Sequence, residues 1–233
     1  IDRGLVGSEM CIRDRSDTVS LTFYGSYYRD DWYVDTSIGF AQHDYDSTRY
    51  LPVSSSLLLG ALTDQFLASS TDGDSFSWSI GGGYTRIFKG WNTDFSARLN
   101  GVDATVDGFT ESGGSLALNV GEQDVESLQA VFGAQISKAF SQKWGVISPY
   151  VGLEIHQEFE DETRVVTASY TIDSGNNQFS FVSDDADDGY YLISTGASLL
   201  LAEGRQVFVN LDHIEGLASV EANTLTAGFR FEL

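Results

Sequence analysis

The sequence predicts an all-β fold, an antiparallel up-and-down transmembrane β-barrel of which about nine strands are present. Three observations lead to this prediction. Apolar and polar residues alternate with a period of two along nine stretches, as in strands with one apolar face. The polar face of these stretches carries mainly Ser, Thr, Gly, Gln and Asn. The links between the stretches alternate between short and long, which is typical of an up-and-down barrel.

Each predicted strand is about ten residues long, the length that a tilted strand needs to cross a bilayer. The alternating segments lie at 19–23, 32–40, 76–80, 95–99, 128–136, 147–155, 193–201, 207–211 and 225–233. Small polar residues fit a crowded or water-filled lumen, whereas the aliphatic and aromatic face would contact lipid. No stretch approaches the roughly 18 consecutive apolar residues that indicate a membrane helix.

The links between the predicted strands are sorted by length. The short links lie at 29–31, 89–90, 141–143 and 202–205. The long links lie at 44–74, 103–126, 157–188 and 212–222. Tight turns on the periplasmic side and long loops on the outside produce this alternation. A soluble Greek-key sandwich has no reason to sort its loops in this way.

The charge is distributed in the same pattern. The formal net charge is −21, and the four long links hold 23 acidic residues against two basic ones, Arg49 and Arg164. The imbalance therefore lies in the predicted outer loops, away from the band where an ionised side chain costs about 2–4 kcal/mol. An acidic chain also lacks the basic surface that nucleic-acid binding needs. A single Cys cannot form an internal disulfide or a Cys-rich metal site.

We predict no catalytic residue, no cofactor and no metal site. His43, His156 and His213 fall on three different predicted strands near outer loops, which favours ordinary lumen or rim positions. The acidic residues of 184–188 lack the spacing of an EF-hand loop. The Gly-Asp-Ser triplet at 73–75 opens a strand rather than following one, so it does not indicate an esterase block.

Two tryptophans predict an aromatic girdle at a membrane interface. Trp32 and Trp91 each follow a short turn directly and have the parity of the apolar face. Trp144 follows a third short link with the opposite parity, so we expect either a bulge there or a Trp that faces the lumen.

Five stretches resemble the C-terminal β-barrel, or translocator domain, of autotransporters, the type V secretion proteins of Gram-negative bacteria. These stretches lie at 24–49, 80–99, 106–114, 156–162 and 224–233. Their order and spacing agree with the predicted strands. The resemblance implies a barrel in the cell outer membrane that supports the surface export of an N-terminal passenger. It implies four kinds of contact: outer-membrane lipid, the barrel assembly machinery, the passenger and its linker helix.

The family fold is a twelve-stranded barrel threaded by a linker helix, so the resemblance implies a partial domain over residues 16–233. Strand parity leads to the same expectation, because an odd number of strands cannot close this antiparallel sheet. Residues 10–15 resemble a translated sequencing adapter, and we expect residues 1–15 to be foreign, poorly packed and part of no domain. We therefore expect a curled sheet of about nine strands that is not properly closed.

The resemblance also assigns residues to roles. Residues predicted to line the lumen and contact the linker are Arg98, Glu154, His156 and Arg230. Residues predicted to form the C-terminal assembly signal are Phe229, Phe231 and Leu233, of which Leu233 departs from the usual terminal Phe or Trp. The glycines at 81–83 would make room for the linker helix.

Two other functions remain open from the residues. The first is another outer-membrane barrel, a porin or an adhesin without a passenger. The second is a barrel enzyme such as a surface protease or esterase, which needs a carboxylate–His or Ser–His cluster at the outer rim. The sequence selects no such cluster.

Overall fold

A computed structural model describes residues 11–52, 64–160, 163–183, 187–201, 204–218 and 222–231. The strands of these residues are β1 (Cys11–Arg29), β2 (Trp32–Leu51), β3 (Gln65–Phe88), β4 (Trp91–Val106), β5 (Phe109–Thr110), β6 (Leu118–Val120), β7 (Gln123–Ser137), β8 (Phe140–Gln142), β9 (Gly145–Glu158), β10 (Val165–Tyr170), β11 (Gln178–Val182), β12 (Gly189–Leu201), β13 (Gln206–Glu215) and β14 (Ala222–Arg230). None of the described residues belongs to a helix long and apolar enough to cross a membrane.

Nine of these strands form one antiparallel sheet. Its order is β1-β2-β3-β4-β7-β9-β12-β13-β14, and the short β8 adds to the end of β9. Each strand of this path pairs with the next long strand along the chain, which confirms the predicted up-and-down order. In the described part of the chain β1 and β14 are not paired with each other, and the sheet is curled into a half-barrel.

The apolar residues form one continuous face across the main sheet. Leu21 of β1 lies opposite Phe40 of β2, which in turn lies opposite Phe76 of β3. The same parity is kept to the far edge, where Val209 lies opposite Ala227. The register therefore places every predicted apolar segment on the same side, because a slip by one residue would have moved a whole strand to the other face.

This apolar face is turned outward. Phe40 is 52% exposed and Phe132 is 57% exposed, although both are large apolar side chains. Among the described residues only five apolar side chains are buried: Leu67, Ala117, Ala130, Val131 and Ala168. A two-sheet sandwich with a dry core is therefore excluded. The polar residues of β2 are less exposed than the apolar ones between them, which places the polar face on the concave side of the sheet.

The first three short links are tight hairpin turns. Lys89 and Gly90 both have positive φ, at 51° and 79°, the backbone that a two-residue type I′ turn requires. The third turn lies one residue later than predicted, because Gln142 pairs with Gly145 and leaves Lys143 and Trp144 as the turn. Trp144 therefore lies in the turn itself, and neither the bulge nor the lumen-facing Trp that we expected is needed.

A short interruption separates β7 from β8 along the same hairpin. Ser137 pairs with Tyr150 and Phe140 pairs with Ile147, so the register is unchanged across the gap. Pro149 lies opposite the gap and has no N–H to donate to the ladder. Its carbonyl still accepts a hydrogen bond from the Lys138 N–H at 3.2 Å.

The predicted boundaries of the long links were wrong, because strands continue into them. The link predicted at 44–74 is occupied by β2 as far as Leu51 and by β3 from Gln65. The link predicted at 103–126 contains β5 and β6, and that at 157–188 contains β10 and β11. Beyond the lipid-facing band both faces are polar, so the alternation that marks a strand disappears while backbone pairing continues.

β5, β6, β10 and β11 form a second sheet, which we call the outer-loop sheet, in the order β11-β10-β6-β5. It continues the main sheet outward. Val106 pairs with Gln123 in the β4–β7 ladder, and Phe109 pairs with Val120 in the same register beyond a break of two residues on each strand. β5 also meets the outer end of β3, where Ala68 bridges to Ser112.

The β10–β11 hairpin is closed by the carboxylate of Asp173. Its Oδ1 accepts the backbone N–H of Gly175 at 2.8 Å, and its Oδ2 accepts the backbone and side-chain N–H groups of Asn177 at 3.0 and 2.8 Å. These donors favour the ionised form, and they hold the pKa of Asp173 below its usual value, the Gly175 N–H having the largest effect.

The segment that we expected to be poorly packed divides in two. Residues 1–10 lie outside the described residues. Residues 11–15 continue β1, pairing with Tyr50 through Asp46 of β2, so the expectation is wrong for their backbone. The side chains of Arg13, Asp14 and Arg15 are exposed. Backbone pairing can extend along an edge strand whatever the side chains are, because the ladder uses only N–H and C=O groups.

Two glycines, Gly83 on the concave face and Gly25 on the convex face, test how tightly the concave face is packed. A Cβ at Gly83 would overlap the ring of Tyr33, whereas a Cβ at Gly25 would lie 3.9 Å from Thr36 Cγ2. We expect Gly83→Ala to lower the free energy of unfolding by about 1–3 kcal/mol, and Gly25→Ala to leave it nearly unchanged. Urea unfolding of the lipid-reconstituted protein measures both, and equal effects would contradict the packing described.

The Asp173 turn predicts a pH dependence of the outer-loop sheet. Because the folded-state pKa is lowered, the stabilisation is present at neutral pH and is lost as the pH falls through that lowered pKa. We expect amide exchange at Gly175 and Asn177, compared at matched intrinsic rates, to quicken on acidification. Asp173→Ala should exchange quickly at every pH, and a pH step that persists in this variant would assign the effect to another group.

Candidate functional site

Three of the four predicted lumen residues meet on the concave face. Arg98 extends from β4, and Glu154 and His156 extend from β9. The Arg98 Nη2 lies 3.9 Å from Glu154 Oε2, and the same oxygen lies 3.1 Å from His156 Nε2. Val131 of β7 lies between the two strands, paired with Arg98 on one side and His156 on the other. The carboxylate therefore bridges two basic side chains across three strands.

His156 is the best-packed member of this cluster. It is 7% exposed, and its Nδ1 lies 3.1 Å from the Oε1 of Gln129. Its ring stacks on Tyr190 of β12 with centroids 4.2 Å apart and an interplanar angle of 10°. Arg98 and Glu154 remain about half exposed, so their ion pair is solvent-screened and holds geometry more than it adds stability.

Two further networks on the concave face were not found from the sequence. At the turn end of the sheet, the Tyr33 hydroxyl donates to Asp94 Oδ1 at 3.1 Å, and Thr85 donates to Asp94 Oδ2 at 2.6 Å. Nearer the far edge, the Tyr150 hydroxyl donates to Asn210 Oδ1. In the sequence, the signal for such tyrosines is their parity with the small polar face.

The Tyr150 network extends to Asp212, which accepts the Ser194 hydroxyl at 2.6 Å. Together with Asp94 and Glu154, it gives the concave face carboxylates on β4, β9 and β13. Arg98 is the cation that pairs with Glu154 on this face. The face can therefore donate and accept hydrogen bonds along its whole width and can hold a basic group of a ligand.

Arg230 does not join this cluster. It lies at the end of β14, paired with Gln206, and β7, β9, β12 and β13 separate β14 from β4. Its side chain is exposed. Strand order rather than chemistry places it apart from the other three residues.

Trp32 and Trp91 lie where the girdle prediction put them, on the apolar face beside the tight turns. The Trp32 ring lies 4.8 Å from that of Tyr84, and Lys138 Nζ lies 4.9 Å above the ring of Trp91. Aromatic rings flanked by polar and cationic groups are typical of membrane interfaces. The assignment as a girdle stays a prediction.

The C-terminal signal is described in part. Phe229 and Phe231 are 70% and 59% exposed and stack edge-to-face with centroids 5.1 Å apart. Leu233 lies outside the described residues.

The described residues show one Ser–His contact near the outer end. His43 Nε2 lies 3.0 Å from Ser75 Oγ, and its Nδ1 lies 3.0 Å from Thr18 Oγ1. The second ring nitrogen thus meets a hydroxyl rather than the carboxylate that orients the base in a Ser–His hydrolase. In the same described ranges, no group of three His, Cys, Asp or Glu residues is arranged to hold a metal ion. The acidic segment 184–188 falls partly outside these ranges.

The comparison with known proteins agrees with this geometry. A family model for the autotransporter beta-domain matches residues 13–212. The match begins within β1 and ends within β13, so the stretch at 224–233 lies beyond it. No curated protein matches the chain.

The burial of the cluster predicts an order of effects. We expect His156→Ala to lower the free energy of unfolding by about 1–3 kcal/mol, because it removes a stacked ring and its contact with Gln129. Glu154→Gln should cost less than about 1 kcal/mol, since the pair with Arg98 is solvent-screened. Urea unfolding in lipid compares the two variants, and a larger loss in Glu154→Gln would contradict this order.

Proposed function

We propose that this chain, which belongs to the autotransporter beta-domain family, anchors in the outer membrane of a Gram-negative bacterium and supports the surface export of a passenger N-terminal to it. Membership of this family supports the proposal, because the autotransporter beta-domain is a translocator barrel of the outer membrane and not a catalytic family.

The outward-facing apolar band is the observation that carries this proposal. Large apolar side chains such as Phe95, Phe132 and Leu153 lie on the convex face at 42–57% exposure. A contiguous patch across nine strands far exceeds the few hundred Å² that soluble monomers expose. Lipid removes such a surface from water, while the ladder satisfies the backbone groups that lipid cannot.

The longest strands exceed the length that is needed to cross a bilayer. A tilted strand crosses a bilayer with about 9–11 residues, whereas β2 has 20 residues and β3 has 24. We assign the tight turns to the periplasmic side and the acidic long links to the outside. The outer halves of β2 and β3 then project beyond the lipid as a polar wall.

Each predicted partner corresponds to a surface in this arrangement. The concave cluster of Arg98, Glu154 and His156 would face the linker helix or the passing chain. β14, with Phe229 and Phe231, would be recognised by the barrel assembly machinery. Outer-membrane lipid would contact the convex face.

Surface exposure of the passenger tests this proposal. In cells that express the domain together with an epitope-tagged N-terminal passenger, we expect protease added outside to remove the epitope. Phe132→Arg places a cation in the middle of the band, at a cost of about 2–4 kcal/mol, and should abolish exposure. Gln135→Arg lies on the concave face of the same strand and should retain exposure.

Two outcomes would count against the proposal. A passenger that stays in the periplasm while the barrel inserts would favour a porin or an adhesin. Equal loss of membrane insertion in Phe132→Arg and Gln135→Arg would show that the convex face does not contact lipid.

A further inference from the structure

The segment that joins β5 to β6, residues 111–117, is folded against the outer wall rather than extended into solvent. We call it the strap. It contacts Arg49 of β2 and Gln65 and Leu67 of β3. Two of the five buried apolar side chains of the described residues, Leu67 at 1% and Ala117 at 2%, lie in this contact region. The outer part of the protein thus has buried apolar side chains of its own.

The strap lies on the concave side of the wall. Arg49, Gln65 and Leu67 have the same parity as Tyr33 and the other residues of the concave face. Gly114 packs close to Leu67, because a Cβ added at Gly114 would lie only 3.0 Å from Leu67 Cδ2. Since the concave side leads into the lumen, the strap is folded inward above the outer mouth and not outward toward the membrane.

A buried ion pair holds the strap in place. The Arg49 Nε donates to Glu111 Oε1 at 3.0 Å, and a second bond joins the Arg49 Nη2 to Glu111 Oε2. The side chains of Arg49 and Glu111 are 19% and 9% exposed. Glu111 also accepts the Leu118 N–H at 2.9 Å, so its carboxylate closes both ends of the strap. Removing one partner would leave a buried charge unpaired, which is strongly unfavourable.

Neutral contacts add to the attachment, and the Thr171 N–H donates to the Ala117 carbonyl of the strap at 2.9 Å. Gln65 Oε1 accepts the Leu116 N–H at 3.0 Å, and Gln65 Nε2 donates to Ser115 at 3.1 Å. Below the strap, the β4–β7 ladder breaks at 107–108 and 121–122, and each break contains a glycine. A break with a glycine on both strands is a position where the hairpin can bend.

We propose that the strap narrows the outer mouth of the lumen and that the Arg49–Glu111 ion pair is the latch that keeps it there. When the latch opens, the β5–β6 hairpin bends at the two breaks and the mouth widens. The proposal rests on the proposed function, because it needs a lumen that crosses the membrane.

The test separates movement of the strap from widening of the mouth. In Glu111→Gln, we expect the amide of Leu116, which donates to Gln65 and not to residue 111, to exchange at least about tenfold faster. We expect the single-channel conductance of the full-length protein in planar bilayers to rise about twofold or more. Asp17→Asn is the matched control, since it neutralises a carboxylate of an exposed ion pair at the same end of the sheet and should change neither quantity.

A disulfide variant distinguishes opening of the strap from a general loss of folding. Ala68 and Ser112 exchange two backbone hydrogen bonds of 2.9 Å. The Cα atoms of such a pair lie about 5.5 Å apart, a separation that a disulfide can bridge. In a Cys11→Ser background, Ala68→Cys with Ser112→Cys should return the conductance of Glu111→Gln to the wild-type value when oxidised. Reduction should raise it again.

Three outcomes would overturn the proposal. Faster exchange without a change in conductance would show that the strap does not narrow the mouth. Unchanged exchange in Glu111→Gln would show that the ion pair is not the latch. A wild-type protein that fails to insert into the bilayer would contradict the proposed function, and the strap proposal would fall with it.

Discussion

The antiparallel backbone ladder is the constraint on which the rest of this structure depends. In lipid no water can pair with an exposed N–H or C=O, so each strand must be satisfied by its neighbours. The ladder fixes the register, and the register fixes which side chains face outward. The apolar face, the polar concave face and the tight turns all follow from this pairing. Pro149 shows the same rule locally, because the ladder breaks opposite the residue that lacks an N–H.

The same ladder serves two different environments along one strand. In the lipid-facing part, side chains such as Phe132 need no partner from the protein, and few side chains are buried. Beyond it, the wall of β2 and β3 stands in water and must make its own contacts. There Leu67, Ala117 and the Arg49–Glu111 pair form a small folded core. Under the proposed function, stability would come from lipid at one end of the strand and from packing at the other.

The concave face is ordered without being dry. His156 is held by Tyr190, Gln129 and Glu154, while Arg98 stays half exposed beside them. Under the proposed function, such a face would keep its groups in place and leave them accessible to a chain that passes or threads the lumen. Buried and half-exposed members thus lie within one cluster.

The sequence by itself determined the nine-stranded order, the lipid-facing parity and the positions of Trp32 and Trp91, because period-two alternation and link length are local properties. It also placed Arg98, Glu154 and His156 on the polar face. Only the tertiary structure decided that these three meet and that Arg230 lies apart, since contact depends on strand order across the sheet. Only the structure showed β2 and β3 continuing past the apolar band and Glu111 reaching Arg49. Alternation is lost where both faces are polar, and contacts between residues 62 positions apart leave no local pattern.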